Sequence, residues 1–136
     1  GEVFGRLYTW SAATEACPEG WHLPSDEEWK TLEMELGMSQ SEADATNFRG
    51  TDQGKQMKYT SGWLDGNGNN SAGFNGLPGG YYEESEYLWL GSATKWWTST
   101  RTEPVLAYNR YLFSSDRVGR KVWIVTDRFS VRCVKD

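Results

Sequence analysis

Trp21-His22-Leu23-Pro24-Ser25-Asp26-Glu27-Glu28-Trp29 is the stretch on which the fold turns. Ser25 followed three residues later by Glu28 is a capping box, in which the serine hydroxyl and the glutamate carboxylate each take a backbone N–H that a helix start leaves free. A helix is therefore predicted to begin here. Trp29, Leu32 and Leu36 fall at i, i+3 and i+7 on one face, and Pro24 and Trp29 can form the staple that fixes the entry angle. Gly37 is placed to close the helix in the left-handed conformation.

Upstream of that helix, Val3 to Trp10 reads as a strand running into a short helix over Ser11 to Ala16, which Pro18 and Gly20 end. Downstream, Ser41 to Asn47 reads as a short helix, and Gly54 to Lys58 as either helix or strand. Ser61 to Gly80 is rich in Gly and Asn, both tolerant of positive φ, and reads as irregular backbone, ordered or flexible. The rest reads as strands: Tyr81-Tyr82, Tyr87 to Trp89, Lys95 to Ser99, Val105 to Phe113, Lys121 to Thr126 and Phe129 to Val134. In the last of these, period-two geometry puts Phe129, Val131 and Cys133 on the core side and Ser130 and Arg132 on the other.

The chain of 136 residues has a length suited to one domain, 1–136. It carries 8 Trp, 7 Tyr and 5 Phe beside 15 Gly and 4 Pro, a mixture that favours short strands and irregular loops over a helical bundle. Net charge is -5 and no stretch gathers Lys and Arg alone, so nucleic acid is not an expected partner. No run of about 18 apolar residues is present, and no transmembrane segment is expected. Gly1 to Gly5 lacks the pattern of a secretion signal, so an export signal or lipid anchor is expected to have been removed or to lie upstream.

Cys17 and Cys133 are the only cysteines, and their number and separation fit no four-ligand zinc pattern. A disulfide is the simplest use for them, and two buried free thiols are the alternative. A bridge closing so long a loop would stabilise the fold by roughly 4 to 5 kcal/mol in the chain-entropy treatment and would place the protein in an oxidising compartment.

The Trp21 to Trp29 stretch resembles the Leu-Pro-Thr-x-x-Glu-Trp signature of the formylglycine-generating enzymes, the sulfatase-modifying-factor branch of the C-type-lectin-like fold. Gly5-Arg6-Leu7-Tyr8, Ala16-Cys17-Pro18, Gly62-Trp63, Gly73-Phe74, Leu77-Pro78-Gly79-Gly80-Tyr81, Trp96-Trp97-Thr98-Ser99-Thr100 and Phe129 to Asp136 together resemble the Fibrobacter succinogenes major paralogous domain. That resemblance spans nearly the whole chain. It implies a bacterial, exported protein, secreted or at the cell surface, periplasmic or an outer-membrane lipoprotein, of a family to which no general activity is assigned.

The enzymes of the related branch hold copper with two cysteines in a Cys-Tyr-Arg-Tyr-Arg-Cys stretch. The matching stretch here is Tyr108-Asn109-Arg110-Tyr111-Leu112-Phe113, with Tyr and Phe where the thiolates would stand, and neither ligates copper. No catalytic residues are expected.

Asp65, Asn67 and Asn69 alternate like the first three ligands of an oxygen-rich calcium loop, yet no bidentate Glu closes the loop, and a solvated turn is the simpler reading. No cofactor is expected, and calcium is the one ion these residues would suit. Adjacent Trp96 and Trp97 must point to opposite faces of a strand, so one is expected in the core and the other in a second environment. So many rings exceed the core-facing positions of a small sheet, which leaves some for a binding platform. His22 reads as a structural hydrogen-bonding residue, and Glu27-Glu28 and Glu83-Glu84 as solvated charges.

The expectation is an α+β domain of C-type-lectin-like fold: two N-terminal helices on a small twisted antiparallel sheet, a long irregular loop region, and chain ends close together. Its expected function is noncatalytic ligand binding, carbohydrate first. The expected ligand-binding residues are Trp63, Asp65, Asn67, Asn69, Tyr82, Trp89, Trp96, Tyr108 and Arg110. A protein-binding, adhesive or structural surface domain is the alternative, and a copper oxidase of the formylglycine-generating type a remote one.

Overall fold

The computed structural model describes residues 5–136. Val3 and Phe4, the start of the first strand expected from the sequence, lie outside the described residues. In chain order the elements are α1 (Trp10–Ala13), β1 (Trp21–His22), α2 (Asp26–Glu35), α3 (Gln40–Asp44), β2 (Asn47–Arg49), α4 (Gln53–Met57), β3 (Tyr81–Glu83), β4 (Glu86–Leu88), β5 (Thr94–Glu103), β6 (Leu106–Leu112), β7 (Val118–Ile124) and β8 (Val134–Lys135). The class is α+β, with small antiparallel sheets and short helices.

Helix α2 starts as its sequence dictates. The Ser25 hydroxyl accepts from the Glu28 N–H at 3.1 Å, and the Glu28 carboxylate accepts from the Ser25 N–H at 3.0 Å. The helix ends at Gly37 with φ 117°, where the Gly37 N–H donates to Met34 and the Met38 N–H to Glu33, the two bonds of a Schellman motif. A second capping box, Ser39 with Glu42, opens α3 at Gln40, one residue earlier than the start expected at Ser41. The first helix likewise begins at Trp10 rather than Ser11, and Gln53–Met57 resolves as helix.

Strands β2-β7-β6-β5 form the main sheet, antiparallel throughout, while β1 pairs with β8 and β3 with β4. The sheet is covered on both faces at its centre, which answers the question of the paired tryptophans. Trp96 lies at 5% exposure in a core with Trp29, Met57, Trp63, Leu112 and Val118. Trp97 lies at 0% in a second core with Ala13, Tyr81, Ala107 and Phe129. The second environment is thus another core, formed by the N-terminal segment, the β3–β4 hairpin and the final segment.

The expected strand Phe129 to Val134 is broken. Phe129 bridges to Tyr8, Ser130 to Trp96, and the chain pairs again only at β8, against β1. Cys17 and Cys133 form a disulfide with their Cα atoms 5.7 Å apart, so the segment carrying the end of α1 is tied to the chain's last residues.

The Ser61 to Gly80 stretch contains no helix or strand, as expected, and its backbone is held by hydrogen bonds rather than left loose. Trp63 Nε1 donates to the Gly76 carbonyl at 3.0 Å, the Ala72 N–H donates to Gln56, and the Asn70 and Asn75 amides pair at 2.7 Å.

Between α2 and the sheet lies a buried ion network. Arg110 (0% exposed) donates to Asp26 at 2.7 Å and to Glu33 at 3.0 Å; Arg49 donates to Glu33 at 2.6 Å, and Arg120 to Asp26 at 2.8 Å. Asp26 and Glu33 are on the buried side of α2 beside Trp29. Burial alone would raise the Asp26 pKa, but hydrogen bonds and charge from Arg120 and Arg110 hold it at about 2.

Candidate functional site

Of the residues expected to meet a ligand, three are core residues. Arg110 is enclosed in the ion network, and Trp96 sits with its ring 5.7 Å from Trp29 and 5.3 Å from Phe74. Trp63 is 6% exposed beneath the Nζ of Lys58, 4.9 Å from its ring centroid. All three differ from the expectation for the same reason: the face of the sheet, or the loop, that carries each one packs into the core that contains Trp29 of α2, so the ring or guanidinium meets protein instead of solvent. Tyr108 is half-buried under the Arg120 guanidinium at 4.2 Å, on the same face of the sheet as Arg110.

Asp65, Asn67 and Asn69 are exposed, and two of them use their side-chain oxygens locally. Asn67 Oδ1 accepts from the Trp63 N–H at 2.9 Å and Asn69 Oδ1 from the Ser71 N–H at 3.0 Å. These are turn-forming bonds of the kind Asn makes in tight loops. Among the described residues no group of three or more His, Cys, Asp or Glu converges as a metal cluster.

Tyr82 and Trp89 belong to a true surface feature, built on the β3–β4 hairpin. The Tyr82 and Tyr87 rings meet edge to face at 4.8 Å, and the Arg128 guanidinium lies 4.9 Å from Tyr82. Tyr87 is 73% exposed and Trp89 57%. Trp89 has φ 59°, a left-handed conformation that is costly for a bulky side chain and persists only where the surroundings impose it. The Leu64 N–H donates to the Gly91 carbonyl at 2.9 Å, so the tip of the Trp63 to Ser71 loop lies against the segment that follows Trp89. Leu64 and Leu90 are both exposed there. The loop tip and the hairpin are therefore brought together, while the Tyr108–Arg110 region lies apart from them.

Beside the hairpin is a cleft of about 790 Å³ lined by Arg6, Leu7, Gly79, Tyr81, Tyr87 and Leu90 among others. Beneath it Lys95 is enclosed by rings, its Nζ 4.3 Å from the Tyr81 centroid and 4.7 Å from that of Trp123, and it donates to Glu83 at 2.6 Å. Burial pulls the Lys95 pKa down while Glu83 works against that, and burial with the Glu83 charge pushes the Tyr81 hydroxyl up to about 12. Glu83 is thus an ion-pair partner and not the solvated charge its sequence suggested, whereas Glu27 and Glu28 are exposed.

His22 bridges Glu28 (2.8 Å) and Asp136 (2.6 Å), tying the capping box of α2 to the last residue. Its hydrogen bonds to Glu28 and then Asp136 raise its pKa.

The model of the Fibrobacter succinogenes major domain matches residues 1–135. The chain belongs to that family. No curated protein and no solved structure matches it. In this Fibrobacter succinogenes major domain no helix among the described residues is long and apolar enough to cross a membrane. The sequence missed Tyr87, Leu64 and Leu90 as surface residues of the hairpin patch. Tyr87 is one of the many rings in excess of the core positions, with no signal to say which of them is exposed, and nothing in the pattern separates an exposed leucine from a buried one.

Proposed function

We propose that this domain is a noncatalytic recognition module of an exported bacterial protein, secreted or displayed at the surface, and that its ligand is carbohydrate. The observation that carries the reading is Trp89, an indole held in a strained backbone conformation yet left exposed at the end of the β3–β4 hairpin, with Phe113 as its ring neighbour at 6.4 Å and the Tyr82–Tyr87 pair on the same hairpin. Exposed rings with Arg128 against Tyr82 offer flat faces for sugar C–H groups and a polar group for hydroxyls. The disulfide fits an oxidising compartment. The C-type-lectin-like scaffold, and kinship with the formylglycine-generating branch, belong to the same proposal. With both cysteines in one disulfide and Tyr108 and Phe113 at the positions of the copper thiolates, the residues favour binding over that oxidation chemistry.

A glycan array with and without calcium tests the reading. Binding by the intact domain that is lost in Trp89→Ala, with melting unchanged, is the expected result; silence across a broad array would defeat it. Exposed Leu64 and Leu90 beside Trp89 favour a second reading, a protein-binding or adhesive surface, because aliphatic side chains add to protein interfaces more than to sugar platforms.

A further inference from the structure

At the other side of α2 a groove of about 420 Å³ opens between that helix, the Ala72–Phe74 loop and the final residues. This is within the usual range for small-ligand clefts, about 300–1,000 Å³. Its walls include Trp21, Pro24, Leu32 and Phe74, and Arg132 also faces it. The Arg132 guanidinium lies 4.4 Å from the Phe74 centroid. Among the described residues it makes no hydrogen bond and no ion pair. The contrast with the other arginines is sharp: Arg49, Arg110 and Arg120 are buried and each meets a carboxylate, and Arg6, Arg101, Arg117 and Arg128 are exposed to water.

Arg132 alone is half-buried without an anion, and burial lowers its pKa. A guanidinium partly withdrawn from water costs free energy that an anion would recover. Stacking on a ring uses its face and leaves the in-plane N–H fork for two parallel bonds to a carboxylate. Nearby Glu28 does not supply it, being engaged by His22 and the Ser25 N–H. Trp29, 2% exposed, lines the same groove, and its Nε1 has no acceptor. The floor is fixed by the disulfide at Cys133, next to Arg132.

We propose that this groove captures the C-terminal carboxylate of an extended peptide whose last side chain is apolar, with Arg132 holding the carboxylate and Trp21, Leu32 and Phe74 receiving the side chain. A saccharide is disfavoured here because the polar side chains of the lining, Glu28, Arg132 and Lys135, are charged and few, and Trp21, Pro24, Leu32 and Phe74 offer a ring of hydroxyls scarcely any partners. The site is independent of the hairpin patch.

The test is a titration of the whole chain, followed by NMR, with the N-acetylated peptide Gly-Gly-Ala-Leu as the free acid, as the C-terminal amide, and with oligogalacturonate as a carboxylate-bearing sugar. The free acid should saturate, and the amide should bind at least about tenfold more weakly, the loss expected for one charge-assisted pair. Arg132→Gln, which removes the contact with Phe74 but no hydrogen bond or ion pair, should reduce acid binding to the amide's level while the rest of the spectrum shows the fold kept, and Trp89→Ala should leave acid binding intact. Equal binding of acid and amide, full binding by Arg132→Gln, no binding of the acid at millimolar concentration, or saturation by oligogalacturonate alone would each overturn the proposal.

Discussion

Arg110 shows how a single residue changes meaning between sequence and structure. As a member of a Tyr-rich strand it reads as a surface hydrogen-bonding group, yet it is the centre of a buried network with Asp26 and Glu33. The partners are 84 and 77 residues away, so no local pattern announces them. Asp26 and Glu33 are one heptad apart on the same side of α2, which was the one visible hint. Removing Arg110 leaves Asp26 paired with Arg120 and Glu33 with Arg49, so what is lost is its own charge-assisted hydrogen bonds and not all compensation. Arg110→Met should therefore cost about 2–3 kcal/mol in denaturant unfolding.

The same network gives a pH dependence. Asp26 is held at about 2 against an ordinary 3.8, a depressed carboxylate whose stabilising contribution is present above the ordinary value and lost as pH falls through the folded one. A contribution of about 2 kcal/mol should disappear between roughly pH 4 and pH 2, and Asp26→Asn should flatten the urea midpoint across that window.

Among the elements, those with local signals were legible and those defined by partners were not. The Ser25 box, the Gly37 stop and the irregular Ser61 to Gly80 stretch follow from backbone chemistry within a few residues. The Ser39 box carries the same signal, Ser-x-x-Glu, but the apolar pattern around it is weak, so the start of α3 is less sharply marked. The final segment was read as one strand from its alternation, but alternation does not say which strand accepts it. It takes three partners in turn: Tyr8, then Trp96, then β1. Pairing also explains Gly119 in β7, opposite Tyr111 in β6, since a Cβ there would fall inside the Tyr111 ring. Gly119→Ala should destabilise the fold by about 1–3 kcal/mol, with the Tyr111 resonances displaced in an NMR spectrum.

For the whole molecule, a sheet packed on both faces absorbs more aromatic rings than a one-sided sheet could. That is why Trp63 and Trp96, expected at a ligand surface, are core residues, and why only Tyr82 and Trp89 of the expected rings join the hairpin patch. The disulfide holds the second core closed by joining distant parts of the chain, 116 residues apart. Reduction, or Cys17→Ser with Cys133→Ser, should lower stability by about 5 kcal/mol, read as a lower melting temperature in the presence of reductant.

The proposed recognition role rests on one feature, an exposed indole on a strained backbone. A two-dimensional NMR titration of the tryptophan indole N–H signals with a saccharide that the array selects tests this most directly. The Trp89 signal should move with saturation while those of Trp29, Trp63, Trp96 and Trp97 stay in place; a saccharide that binds without moving Trp89 would contradict the account.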